Sequence, residues 1–248
     1  MSTSLQRAQV LIDLKRWVPA ADELHRELAE RPGDPLAHRL LALSLAWQGH
    51  LPEARTEVEE AIRLQPDCDH AQQILGWILV KQGHHSEAEK AYWEAIRLNP
   101  QESHHFSLLA DLCAIKGSWS SCAFVAREGL RINPNSVDCA NTLAKALIET
   151  NRPKQAQAIL DAAMSRDPEN CWSHMNQGWI YLTQNKTGES LQHFHEAARI
   201  NPENTEAHGY IKYLRGKRLE QATRLVLLAI LVILFLIKCL VTLIQDRF

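Results

Sequence analysis

Six prolines stand at positions 32, 66, 100, 134, 168 and 202, each 34 residues after the last. They close a recurring phrase: AERP, AIRLQP, AIRLNP, GLRINP, MSRDP and AARINP. A fixed period of 20 to 50 residues is the signature of a stacked array, because a unit that short cannot bury its own apolar face and must cover it with a neighbour. The interval therefore excludes the one or two globular domains that a chain of 248 residues would otherwise suggest.

With each unit numbered so that its proline is residue 32, position 8 reads Ala8, Ala42, Gly76, Ala110, Ala144 and Gly178. Position 20 reads Ala20, Ala54, Ala88, Cys122, Ala156 and Ser190, and position 27 is also small except for Glu27. Small side chains at fixed places let two helices approach closely. Larger residues at positions 7, 11 and 24 (Leu41, Leu45, Leu75, Leu79, Tyr92, Leu109, Phe194) fill the seams. Each unit is thus predicted to be a helical hairpin. Its turn falls near position 15, where Gly49, Gly83, Gly117, Asn151 and Asn185 tolerate positive φ. The proline ends the second helix, since it lacks the N–H of an interior position and restricts the residue before it.

This register resembles the tetratricopeptide repeat (TPR), over six units and about residues 1–204. The likeness implies an all-α, right-handed superhelix of six hairpins. It departs locally: position 4, often Trp in the family, is Ser4, His38, Gln72, Phe106, Ala140 and His174, and Pro153 stands where an aromatic is common. The resemblance implies a concave groove lined by the first helices at positions 2, 5, 9, 12 and 13. Here that face carries His70, Gln73 and Trp77; His104, Ser107 and Asp111; Asp138, Asn141 and Lys145; and Trp172, Met175 and Trp179, with Asn176 beside them. Such a face suits a protein or peptide segment, because aromatics give area at low entropic cost and amides bond the backbone. Trp77 and Trp179 read equally as filler between hairpins. Some relatives hold a chaperone's terminal carboxylate with a Lys/Asn clamp; no three successive units here carry that set, and Asn141 and Lys145 stand in swapped places.

Other chemistries find little support. From Thr205 onward seven Lys/Arg face three Asp/Glu, a balance of +4, so a net charge of -2 leaves about -6 on residues 1–204. An acidic body argues against nucleic acid as a partner. The histidines include His84-His85, His104-His105 and His193-x-His195, but such pairs point to different helix faces, whereas a helical metal pair is spaced i, i+4. They are read as solvated turn and surface residues, and no metal or cofactor is expected. Six cysteines without a CxxC pair, and an opening MSTSLQRAQV without a secretory pattern, suit reduced thiols in a cytosolic body. Cys113 and Cys122 occupy helix-contact positions, and Asn185-Lys186-Thr187 is a glycosylation triplet only in a secretory lumen. No motif assembles a nucleophile with a base, so no enzyme is expected.

After Pro202 a seventh helix begins like a first helix and continues into LVLLAILVILFLIKCLVTLI, residues 225–244, with sixteen Leu, Ile, Val or Phe in twenty. At about 1.5 Å per residue this is about 30 Å, the thickness of a bilayer's hydrocarbon core. One lysine costs about 3 kcal/mol, less than the apolar residues contribute. Lys238 snorkels or meets a partner transmembrane helix. Lys212, Arg215, Lys217, Arg218 and Arg224 precede the span and Arg247 follows it, which orients the repeats toward the cytoplasm. The expected organisation is a solenoid (1–204), a capping and basic juxtamembrane helix (205–224), a transmembrane helix (225–244) and a short tail (245–248). The expected function is that of a single-pass, tail-anchored adaptor or scaffold. Two alternatives are a structural subunit of a larger membrane complex and a receptor for import or organelle division.

Overall fold

The computed structural model describes the backbone of residues 2–245 and the side chains of residues 2–233. Among the described residues there are thirteen α-helices and no strand. They pair as hairpins: α1 (Thr3–Asp13) with α2 (Trp17–Glu30), α3 (Pro35–Trp47) with α4 (Leu51–Leu64), α5 (Asp69–Lys81) with α6 (His85–Leu98), and α7 (Ser103–Ile115) with α8 (Trp119–Ile132). The series continues with α9 (Val137–Glu149) and α10 (Pro153–Arg166), then α11 (Cys171–Thr183) and α12 (Thr187–Ile200). The last helix, α13 (Thr205–Gln245), packs on α12. Two compact units divide the chain, residues 1–166 (unit 1, α1 to α10) and 167–248 (unit 2, α11 to α13).

The local chemistry repeats. Residues Arg31, Gln65, Asn99, Asn133 and Asn201, each preceding a repeat proline, leave the helix with φ from -126° to -137°, as the proline ring requires. Side-chain caps from Ser2, Asp34 and Asn170 accept the free N–H groups of the next helix. All six hairpin turns place position 15 at positive φ: Gly49, Gly83 and Gly117 at 70° to 87°, Asn151 and Asn185 near 58°, and Lys15 at 56°. Lys15 is the member the sequence does not announce.

The two seam positions are coupled. Position 8 is glycine only where position 24 is aromatic: Gly76 opposite Tyr92, Gly178 opposite Phe194. A Cβ on Gly76 would lie 2.5 Å from Tyr92 Cε1, and one on Gly178 would lie 2.7 Å from Phe194 Cε1. Where position 24 is Leu24, Val58, Ala126 or Leu160, position 8 is alanine. Leu41, Leu79, Tyr92, Leu109 and Phe194 are buried, as are Cys113 and Cys122, whose thiols are free. Glu27, the exception among small residues, is wholly enclosed, hydrogen-bonded by Ser2 Oγ and paired with Arg31 at 3.4 Å.

In unit 2, Ala207, Ile211 and Leu214 of α13 join Met175, Phe194 and Ala197 in one core. Beyond Leu214 every described side chain of α13 is exposed. Among the described residues no helix is long and apolar enough to cross a membrane. The expected span has described side chains only as far as Ile233, so Lys238 lies outside them, as does the tail beyond Gln245.

Candidate peptide-binding surface

The predicted contact residues fall into two sets, one in each unit. In unit 1 they lie on α5, α7 and α9. Trp77 is half-buried, and it is the third rung of a ladder. Trp17 stacks on Trp47 with ring centroids 5.2 Å apart and planes 7° from parallel, and Trp47 meets Trp77 at 5.1 Å. Lys81 Nζ sits 5.8 Å from the Trp77 centroid, and Trp47 is 55% exposed. Trp17 and Trp47 were not predicted. Their signal was present as a spacing: 17, 47 and 77 lie 30 residues apart, one repeat less one helical turn, so the side chains step diagonally from helix to helix.

Polar groups follow on α7 and α9. Asp111 accepts from Thr142 Oγ1 at 2.8 Å, and His104 Nδ1 lies 3.6 Å from Asp138 Oδ2. Both aspartates and His104 are open to solvent. Protein nevertheless crowds them: loss of hydration holds the Asp111 carboxyl above its ordinary range, against the opposing pull of Thr142 and Lys145. Accessible yet poorly hydrated is the condition of a group in a concavity. The Asp138 carboxylate raises the imidazole of His104 against the loss of hydration imposed by the surrounding protein, and His104 lowers Asp138 in return. Ser107 and Asn141 are buried, Ser107 Oγ donating to the His104 carbonyl at 2.8 Å, while Gln73 and Lys145 are half-buried.

His70 is exposed and bonds Asp69 at 2.9 Å. Asp69 also accepts from Asn99 at 2.9 Å and from His105 Nε2 at 3.0 Å. Burial opposes its ionisation, but these partners hold its carboxyl well below the usual range. His105 is wholly buried, which corrects the reading of the histidines as solvated turn and surface residues. Its position 3 faces the preceding hairpin, so an imidazole there bridges repeats.

In unit 2, Trp172 is 51% exposed, Met175 and Asn176 are enclosed, and half-buried Trp179 meets Tyr210 edge-on at 6.1 Å. Met175 contributes packing, not accessible surface. Arg215, Lys217, Arg218 and Arg224 are exposed on α13.

Position 4, where the resemblance would place Trp, has another use. His38, His174 and His208 each direct Nε2 to the carbonyl of the repeat proline six residues earlier, Pro32, Pro168 or Pro202, at 2.9 to 3.0 Å. In α3 and α11 the other ring nitrogen meets position 23 of the same hairpin: His38 Nδ1 reaches Glu57 Oε2 at 2.6 Å, and His174 Nδ1 reaches His193 Nδ1 at 3.1 Å. Among the described residues no group of three or more His, Cys, Asp or Glu is placed to hold a metal ion.

The sequence matches the profiles described as tetratricopeptide repeat over residues 5–68, 39–103 and 74–121, and again over 123–174. No curated protein matches it. Among solved structures, it is similar to the APC/C hetero-tetramer Cut9-Hcn1, at 17% identity and TM-score 0.73, over 86% of this chain but only 42% of that one. It is similar to pilF of Pseudomonas aeruginosa, at 17% identity and TM-score 0.69, covering 86% of this chain and 96% of that one. A third is YrrB, a TPR protein with an unusual peptide-binding site, at 18% identity and TM-score 0.52, covering 77% and 99%. At these identities the structures share a fold. With the profiles spanning more than half its length and the hairpin register laid out above, the chain belongs to the tetratricopeptide-repeat family.

Proposed function

We propose that this protein is a membrane-anchored scaffold whose unit 1 captures segments of partner proteins on the surface formed by the tryptophan ladder and the polar groups of α7 and α9. One observation carries the reading: the ladder Trp17–Trp47–Trp77 and the groups His104, Asp111 and Asp138 are neither core nor ordinary solvated surface. Aromatics there supply contact area and the polar groups fix register. The anchor is the apolar run 225–244, supported by its composition and by the exposure of Leu225 through Ile233, which water disfavours. By the charge asymmetry around the run, the repeats face the cytoplasm. Holding them at a bilayer raises the local concentration of anything they bind. Nothing in this reading requires catalysis.

Crosslinked complexes recovered from membranes test it. Trp47→Ala and Asp111→Asn, both at accessible positions, should keep helical circular dichroism and lose partners held by full-length wild type. Retention of every partner by both variants would overturn it. A second reading, the structural subunit, is favoured by one feature on the second-helix side of unit 1: a hollow of about 360 Å³ between exposed Trp93 and Phe124, floored by Leu109, Cys113 and Val125. If Phe124→Ala alone released the partners, that side would be the binding face.

A further inference from the structure

Helix α13 changes character along its length. Its first turns are core, through Ala207, Ile211 and Leu214, whereas from Arg215 to Ile233 every side chain stands exposed. At this transition, between residues 212 and 224, five basic residues (Lys212, Arg215, Lys217, Arg218, Arg224) face one acid, Glu220, a balance of +4. The band is about 18 Å long at about 1.5 Å per residue. At about 100° per residue, Arg215 and Arg218 project from one side of the axis and Lys217 and Arg224 from the opposite side, with Lys212 on a flank. Positive charge therefore encircles the stem.

We propose that this collar is a binding surface for anionic phospholipid headgroups, a proposal that rests on the membrane reading above. A partner helix or peptide would cover one side of α13 and leave the opposite charges unmatched; a headgroup layer surrounds a helix that enters it. The sequence order fits, because the exposed apolar residues Leu225, Leu227, Leu228 and Leu231 begin immediately after Arg224. Internal partners do not consume the charge. Arg224 pairs with Glu220 at 2.6 Å, but both are largely exposed, and Arg215 Nη2 meets an imidazole nitrogen of His195 at 3.1 Å. Each basic residue at an anionic surface strengthens partition about fivefold, and salt weakens the effect.

The test uses the full-length chain floated with two kinds of vesicle, phosphatidylcholine alone and phosphatidylcholine mixed with phosphatidylglycerol, followed by alkaline carbonate extraction. Wild type should prefer the anionic vesicles by two to three orders of magnitude at low salt, about fivefold per charge, and lose most of that preference at high salt. A quadruple variant (Lys212, Arg215, Lys217 and Arg218, each to Gln) should lose the preference while keeping its helical circular dichroism. Resistance to carbonate reads the anchor separately. Wild type that resists carbonate but partitions equally into both vesicles would keep the anchor and overturn the collar. Anionic preference with full carbonate release would support the collar without the anchor. An unchanged preference in the quadruple variant, or retention by nucleic acid or an acidic protein in place of either vesicle, would overturn the proposal.

Discussion

The hairpins α3–α4 and α11–α12 carry the same device with one residue exchanged. Both place a histidine at position 4, tie its Nε2 to a proline carbonyl, and turn its Nδ1 toward position 23. Position 23 sits among like neighbours in the two, Glu53, Glu60 and Arg63 in one and Glu189, Glu196 and Arg199 in the other. In α3–α4 both ring nitrogens of His38 face acceptors, so the doubly protonated ring is favoured. Burial opposes this, yet the Pro32 carbonyl and Glu57 outweigh it and raise its pKa. In α11–α12 two Nδ1 atoms share one contact, and one must donate while the other accepts. Burial first, then the charge of His174, lowers the pKa of His193. One substitution thus converts an acid-stabilised junction into an acid-labile one.

The signs follow from linkage. His38 contributes stability in full below the ordinary imidazole value of 6.5 and loses it as pH rises through its higher folded value. His193 contributes above 6.5 and loses the contribution as pH falls through its lower folded value. Mild acid should tighten the α3–α4 junction and loosen the α11–α12 junction.

The largest effect expected removes one side of the comparison. Phe194→Ala empties the seam against Gly178 and should cost about 3 to 5 kcal/mol in urea melts, and the histidine response of unit 2 should disappear with it while that of His38 persists. Because aromatic and glycine are coupled, Phe194→Leu with Gly178→Ala, the pairing found at Leu160 and Ala144, should recover most of the loss. A full loss in the double variant would show that the coupling is not steric. The exchange itself comes next: His193→Glu should make unit 2 more stable on acidification, by about 1 kcal/mol, and Glu57→His should impose the opposite slope on unit 1. Melting temperatures measured across neutral and mildly acid pH, with imidazole resonances of His38 and His193 followed by NMR, decide this. Unchanged slopes would locate the response elsewhere. The smallest change lies outside both junctions. Lys15→Gly relieves a side chain at positive φ and should add up to about 1 kcal/mol at every pH; a pH-dependent gain would mean that the turns, not the histidines, titrate.

The hairpins were legible because proline, glycine and small residues act through local backbone sterics, which a single sequence displays. Lys15 was not, since nothing in a lysine announces a left-handed turn that its neighbours impose. The candidate surface was legible by half. Position 9 selected Trp77 and Asp111, and position 13 of the same register holds Trp47, but Trp17 sits at position 17, outside that register, and only the geometry between helices brings it onto the ladder. Histidine at position 4 read as a departure from the family; its use depends on a carbonyl six residues back and a side chain nineteen ahead. His105 looked like half of a solvated pair because adjacency in sequence says nothing about which of two faces a neighbouring hairpin covers.

The tryptophan ladder also makes the protein its own spectroscopic instrument. Two indoles 5.2 Å apart and 7° from parallel couple their electronic transitions, so Trp17 and Trp47 should behave as one chromophore, with a split circular-dichroism band and shared, quenched fluorescence. Because half of Trp47 faces outward, any segment settling on this face disturbs the coupling directly, and occupancy of the scaffold becomes visible without a label.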